Sequence, residues 1–131
     1  MNETATRMIE AAIAASRNAY APYSKFHVGA ALLTHDGELI VGCNVENASY
    51  GLTICAERNA IFAAVAKNIR NFRAVAIVAD GDAMPFPCGA CRQVLSEFCG
   101  ASTPVYIASV NNPTEIKALT MGELLPHAFK F

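Results

Sequence analysis

Charge of one sign is nowhere concentrated in these 131 residues. Ten basic residues stand against eleven acidic ones, for a formal net charge of −1. Lys25, Lys67, Arg70 and Arg73 are scattered rather than gathered into a stripe. Such a chain offers no electrostatic footprint for a phosphate backbone, so no nucleic-acid partner is expected. Long apolar runs are missing as well. The longest uncharged apolar stretch, Ala60 to Ala66, is far short of the roughly 20 residues that cross a bilayer, and no membrane partner is expected either. Glu3, Arg7 and Glu10 interrupt what a signal sequence would keep apolar, which makes a cytoplasmic location the expectation. Repeats, linkers and low-complexity segments are absent.

What remains is an apolar chain, 53% hydrophobic against 16% charged, which predicts a packed globular fold. The length fits one domain, residues 1–131, with no room for a second core of useful size. That composition is greasy for so small a monomer, and burial of apolar surface between subunits makes a homo-oligomer the expectation. Five cysteines in a reducing compartment read as thiols or metal ligands rather than a disulfide framework, and the odd number agrees.

Periodicity gives the order of elements. Residues 4–19 place Ala5, Met8, Ile9, Ala12 and Ile13 on one helical stripe, ended by Asn18 and Ala21-Pro22. Residues 26–34 and 38–44 read as a hairpin about His35-Asp36-Gly37. A polar loop over 45–52 leads to a helix at about 54–67 with Thr53 as its N-cap. Residues 73–79 form a buried strand, 89–99 a helix closed by Gly100, and 105–110 another strand. Asn111-Asn112-Pro113 marks a turn, 116–119 a short strand, and Thr120-Met121-Gly122-Glu123 a capping box before a last short helix. The order implies an α/β fold, a three-layer α/β/α sandwich on a mixed, mostly five-stranded sheet, with parallel strand–helix–strand units and right-handed crossovers.

The chemistry concentrates in Cys55-Ala56-Glu57 and, 33 residues after Cys55, in Pro87-Cys88-Gly89-Ala90-Cys91. Cys55, Cys88 and Cys91 suit a zinc ion, and three protein ligands leave a tetrahedral metal one open position for activating water. Both ligand groups fall at helix N-termini, where the dipole favours thiolates. Glu57 is not needed as a ligand and is placed to move protons. Residues two apart on a helix point in nearly opposite directions, so Cys55 and Glu57 share a site only if the helix begins at Cys55 or just before it. Three thiolates on Zn²⁺ sum to −1, and Arg58, three residues after Cys55, either donates to the sulfurs or is an ordinary exposed arginine.

Two other readings of the C-x-x-C stand beside this one, a dithiol redox centre and a closed structural zinc site. The closed site needs a fourth ligand. Cys99 lies eight residues beyond Cys91, about 12 Å along a helix axis. Cys43 lacks a partner in a knuckle, and both read as small core residues. His27, His35 and His127 stand alone in the sequence.

The combination Cys-x-Glu with Pro-Cys-x-x-Cys is the three-cysteine form of the zinc-deaminase signature. With YAPYSKFHVGAAL (20–32), NVENASYGLTICAERNA (44–60), PCGACRQVLSEF (87–98) and ALTMGELLPHAF (118–129), nearly the whole chain resembles the cytidine deaminases of the short, homotetrameric type. The resemblance implies one Zn²⁺ per subunit, a small nucleoside as substrate, and hydrolytic deamination with Glu57 as proton shuttle. It implies that Asn44 and Glu46 bind ribose hydroxyls, that Phe26 packs against the pyrimidine and sugar, and that the Ala56 backbone and Glu57 carboxyl meet the base edge. It further implies that Tyr50 and Phe129 reach into a neighbouring subunit's site, making the active sites composite. The chain stops two residues after Phe129.

Other functions remain to be separated. A polynucleotide-editing deaminase needs a basic groove that is not visible here. A deaminase of a cytosine-nucleoside antibiotic shares the size, the cysteines and Cys-x-Glu, while the N-x-E and LLPHAF matches favour the ordinary nucleoside. A non-catalytic zinc or dithiol module is the alternative outside enzymology.

Overall fold

A computed structural model describes residues 2–131. Helix α1 (Glu3–Ser16) is followed by strands β1 (Val28–Leu33) and β2 (Leu39–Cys43), helix α2 (Ala56–Ala66) and strand β3 (Ala74–Ala79). Helix α3 (Gly89–Phe98), strands β4 (Pro104–Ser109) and β5 (Asn112–Thr120), and the short helix α4 (Met121–Leu124) complete the chain. The strands form one sheet in the order β2-β1-β3-β4-β5. β1 runs antiparallel to both β2 and β3, β3 and β4 are parallel, and β4 and β5 are antiparallel. β2 and β3 therefore point the same way although β1 lies between them. Both strand–helix–strand units keep the expected parallel sense.

Alternation along the strands sorts side chains into two cores. Ala31 and Leu33 of β1, with Ala76 and Val78 of β3, pack against Met8 and Ile9 of α1. Ala30, Leu32, Val75 and Ile77 face the other way, towards Ile61 of α2 and Leu95 of α3. β3 is buried along its whole length, which explains its unbroken apolar run.

Several boundaries differ from the sequence expectation. α1 starts at Glu3 because Asn2 caps it, its Oδ1 accepting from Thr4 N at 2.8 Å, and the helix stops at Ser16. Thr53 does not cap α2. It ends a 3-10 turn over Tyr50–Leu52, inside what periodicity reads as loop, and Cys55 is the N-cap. Cys99 leaves α3 in an extended conformation (φ −126°, ψ 147°), so no left-handed glycine at 100 closes that helix. β5 spans nine residues rather than four, and the turn lies at 110–111. Pro113 therefore sits inside a strand, which is tolerated because β5 is a sheet edge. The capping box is present, with Thr120 and Glu123 bonding each other's backbone N–H.

Two glycines set how closely helices approach the sheet. A Cβ on Gly29 would lie 1.9 Å from Ala12 O of α1, and one on Gly42 would lie 2.5 Å from Ala60 N and 2.7 Å from Ala56 O of α2. These are backbone atoms, so no rotamer change relieves the clash. Gly29→Ala is expected to cost about 3 kcal/mol, the upper end for overpacking, read as a lowered urea midpoint at unchanged slope. Gly51→Ala, where no atom lies within 4 Å, is the control. Equal midpoints for the two variants would contradict the packing account.

Candidate active site

α2 and α3 present their N-termini to one point. Cys55 caps α2 (φ −70°, ψ 157°) and Cys88 caps α3 (φ −68°, ψ 168°), so the two residues share one backbone conformation. Neither side chain makes a capping hydrogen bond to the backbone of its helix, and both sulfurs turn inward. Cys91, fully buried on the first turn of α3, completes the group, and the three sulfurs lie within 4.8 Å of one another. Cys88 Sγ and Cys91 Sγ are 3.5 Å apart. Thiolates about 2.3 Å from a tetrahedral zinc stand about 3.8 Å from each other, so donor chemistry and spacing both fit that ion.

α2 begins directly after Cys55, one residue later than the sequence condition required. Because Cys55 is an extended cap residue rather than a helical one, it and Glu57 still line the same cleft. Glu57 is 4% exposed. Burial raises its carboxyl above the ordinary range, with the charge on Cys55 adding to this, while its own backbone N–H and the Cys91 thiol act in the opposite direction. Cys55 is pushed down to about 5, first by the hydrogen bond from Cys91 and then by Arg58. Cys91 is raised, through its bond to Cys55 and through burial. The two shifts oppose because Cys91 donates to Cys55, and a metal bound by both sulfurs would displace that proton.

Arg58 is not an ordinary exposed arginine. Its Nη2 donates to Cys55 Sγ at 3.4 Å. Its Nε is buried without a protein acceptor. Arg58→Ala is expected to weaken zinc retention against a chromogenic chelator by about 10-fold or more, the usual effect of losing a group that supports a metal ligand. Unchanged release kinetics would reduce Arg58 to a bystander.

The three-thiol group opens into a cleft of about 420 Å³, a volume suited to a nucleoside. Phe26, Asn44 and Glu46 line it together with Cys55, Ala56, Glu57 and Cys88. Asn44 is anchored: its Oδ1 accepts from Val28 N at 2.9 Å and its Nδ2 donates to Phe26 O at 2.8 Å. That leaves one N–H and one lone pair for a ligand. Glu46 accepts from Tyr23 N at 3.0 Å, from Ser24 N at 3.1 Å and from the Ser24 hydroxyl. The hydroxyl is the main reason its carboxyl lies below the usual range, so Glu46 is ionised at neutral pH.

Tyr50 and Phe129 lie outside this cleft. Tyr50, 75% exposed, packs edge-on against Tyr23 with ring centroids 5.8 Å apart and lines an adjoining hollow with Ser24, Glu46 and Thr53. Phe129 is 71% exposed, and its carbonyl accepts from Gln93 Nε2 at 3.5 Å. Cys43 and Cys99 stay out of the metal group, and burial raises both thiols, Cys99 to about 11. His27 is not isolated, since its Nδ1 meets Asp80 Oδ2 at 2.7 Å.

Sequence reading missed Ser24, Val28, Met84 and Phe86, which also line the cleft. Ser24 and Phe86 each stand two residues before a singled-out position, Phe26 and Cys88, but nothing in their types signals a site. Asn59 was missed as well. Its Nδ2 donates to Cys43 O at 2.8 Å and reaches Ile54 O at 3.4 Å.

A buried carboxylate beside three thiols that leave a metal one open position, on a mixed α/β/α sandwich, defines a zinc-dependent deaminase centre that works through activated water. The family model for the cytidine and deoxycytidylate deaminase zinc-binding region matches residues 2–108, and the chain belongs to that family. It is 52% identical over 115 residues to the cytidine deaminase of Sporosarcina psychrophila, covering 88% of this chain and 83% of that one. It is also 52% identical over 122 residues to that of Halalkalibacterium halodurans, covering 93% and 91%. Among solved structures, the cytidine deaminase of Burkholderia pseudomallei superposes with a TM-score of 0.90 at 47% identity, covering 98% of this chain and all of the other.

Proposed function

We propose that the protein hydrolyses cytidine and 2′-deoxycytidine to uridine and 2′-deoxyuridine with release of ammonia, residues 1–131 acting as one catalytic domain. The observation that carries this reading is the buried Glu57 carboxyl beside the three-thiol group in a nucleoside-sized cleft. Zinc held by Cys55, Cys88 and Cys91 supplies the Lewis acidity that lets water attack at neutral pH. Glu57 moves the protons: it accepts one from the attacking water and delivers it to N3 of the cytosine ring. It then accepts the second from the new C4 hydroxyl and delivers it to the amino group, which leaves as ammonia while the C4 carbonyl forms. The Ala56 backbone and the Glu57 carboxyl orient the base edge, and Phe26 packs against the ring and sugar.

The sugar reading follows from acceptor counting. Three of the roughly four acceptor positions of Glu46 are taken by Tyr23 and Ser24, and Asn44 keeps one donor. Together they fully hold one hydroxyl, which gives to Glu46 and accepts from Asn44, and the remaining Asn44 lone pair can accept from a second where the sugar has one. A 3′-hydroxyl meets that need in both sugars, so the 2′-hydroxyl is dispensable. Among the described residues no lysine, arginine or histidine lines the cleft, while Glu46 is ionised. A 5′-phosphate therefore finds no partner, which favours nucleosides over nucleotides and polynucleotides.

The exposure of Tyr50 and Phe129 and the apolar composition support a homotetramer whose neighbours complete each site. We place the enzyme in the cytoplasm, in pyrimidine salvage. Loss of ultraviolet absorbance on cytidine, deoxycytidine, cytosine and cytidine monophosphate tests the substrate assignment. The two nucleosides should react and the nucleotide should not; an inert response to cytidine would reject the reading. Sedimentation of the same preparation reports the assembly.

A further inference from the structure

Asn59 carries no role in the chemistry above, yet its side chain joins the two halves of the cleft. It closes the first turn of α2, where its backbone N–H donates to Cys55 O at 3.0 Å. The helical turn it belongs to is therefore the one carrying Cys55, Ala56 and Glu57. From there the amide nitrogen reaches 16 residues back in sequence to Cys43 O at 2.8 Å, with Ile54 O at 3.4 Å as a second, longer contact. Each carbonyl belongs to the peptide that leads into a site residue: Cys43 O precedes Asn44, and Ile54 O precedes Cys55.

The backbone ladder loosens where this amide holds it, Asn44 N reaching Val28 O only at 3.4 Å. The other ties of the segment are the Asn44 side chain, bonded to Val28 N and Phe26 O, and the Val45–Ile54 bridge, and neither holds the Cys43 carbonyl. α3 has a comparable contact at the matching position, four residues after its own cap. There Arg92 Nε donates to Pro87 O at 2.7 Å and Nη1 to Leu124 O at 2.8 Å. That contact, however, ties α3 to α4. Asn59 alone of the two reaches β2, the strand that leads into the sugar-facing residues.

We infer that Asn59 is a positioning residue, holding the sugar-facing end of β2 at a fixed distance from the turn that carries Glu57, so that a nucleoside anchored through its sugar presents its base to the reacting centre. The inference rests on the functional reading above. Reaction geometry tolerates little error, and a shift of about 1 Å in placement costs on the order of 10²-fold. A substrate without the 2′- and 3′-hydroxyls is not held by Asn44 and Glu46 and gains nothing from that distance.

The test compares kcat/KM for cytidine and 2′,3′-dideoxycytidine in the wild-type enzyme, Asn59→Ala and Asn59→Asp. Alanine is favourable in a helix interior, and aspartate keeps the shape of the side chain while losing the donor, so a folding failure of one leaves the other. The wild-type enzyme should prefer cytidine, and in both variants that preference should shrink by about tenfold, the worth of one charge-assisted hydrogen bond no longer made in register. A merely structural role lowers both substrates alike. An active wild-type enzyme whose substrate ratio is unchanged in either folded variant overturns the inference alone. A wild-type enzyme inert to cytidine overturns the functional reading, and the inference with it.

Discussion

Glu57→Gln is expected to keep the fold and the bound zinc while losing turnover by about 10²–10⁴-fold, the range for removing a positioned acid–base group. Glutamine fills the same volume, so the cavity around this 4%-exposed side chain is preserved. It cannot accept and return protons, and the surrounding elements offer no substitute. Among the described residues that line the cleft, Glu46 is the other carboxylate, and it is engaged by Tyr23 and Ser24. The change should appear in kcat, with cytidine binding reduced far less, because the interaction lost is one made in the transition state. Metal content by atomic emission and a normal circular dichroism spectrum would show that only the chemistry has gone. Turnover within a few-fold of wild type would end the proton-shuttle assignment.

Removal of the metal should have a comparable effect on activity and a second effect on stability. Chelation is expected to bring turnover below detection, with recovery on adding Zn²⁺ and none with Mg²⁺, since thiolates are poor ligands for a hard cation. The ligands come from two helices whose caps are 33 residues apart in the chain, and a bound ion joins those helix ends. Any ligand of the native state stabilises it by mass action, by about 4 kcal/mol at a thousand times its dissociation constant. Metal-free protein should therefore melt at a lower temperature, and Cys91→Ala should reproduce both losses without recovery. Full activity after verified metal removal would refute the assignment of the cysteine group.

The cluster itself was legible in the sequence because its signals are local. Cys88 and Cys91 share one helical turn, and Cys55 and Glu57 stand two residues apart. Whether the latter two meet depended on where α2 begins. Propensity pointed to Thr53, but the 3-10 turn over Tyr50–Leu52 uses Thr53 as its own end and delays the helix to Ala56. Asn59 could not be read in advance, because its partner Cys43 O is a backbone atom that no side-chain pattern marks. The length of β5 escaped for the opposite reason: Pro113 reads as a break, and only the position of that strand at the sheet edge removes the objection. Phe26 is distinguished from a core aromatic by family resemblance and by its 46% exposure, not by its neighbours in sequence.

The sheet also divides the molecule's burdens. α1 and the residues facing it, such as Ala31 and Val78, lie on one side, and every element carrying a metal ligand lies on the other. A change behind the sheet reaches the cleft only through the strands between them, β1 and β2 as well as β3. Stability can thus be adjusted from the α1 side, by filling or thinning its apolar stripe, with little trade against turnover. A chain built this way has room to drift in one half of its core while its chemistry stays fixed in the other.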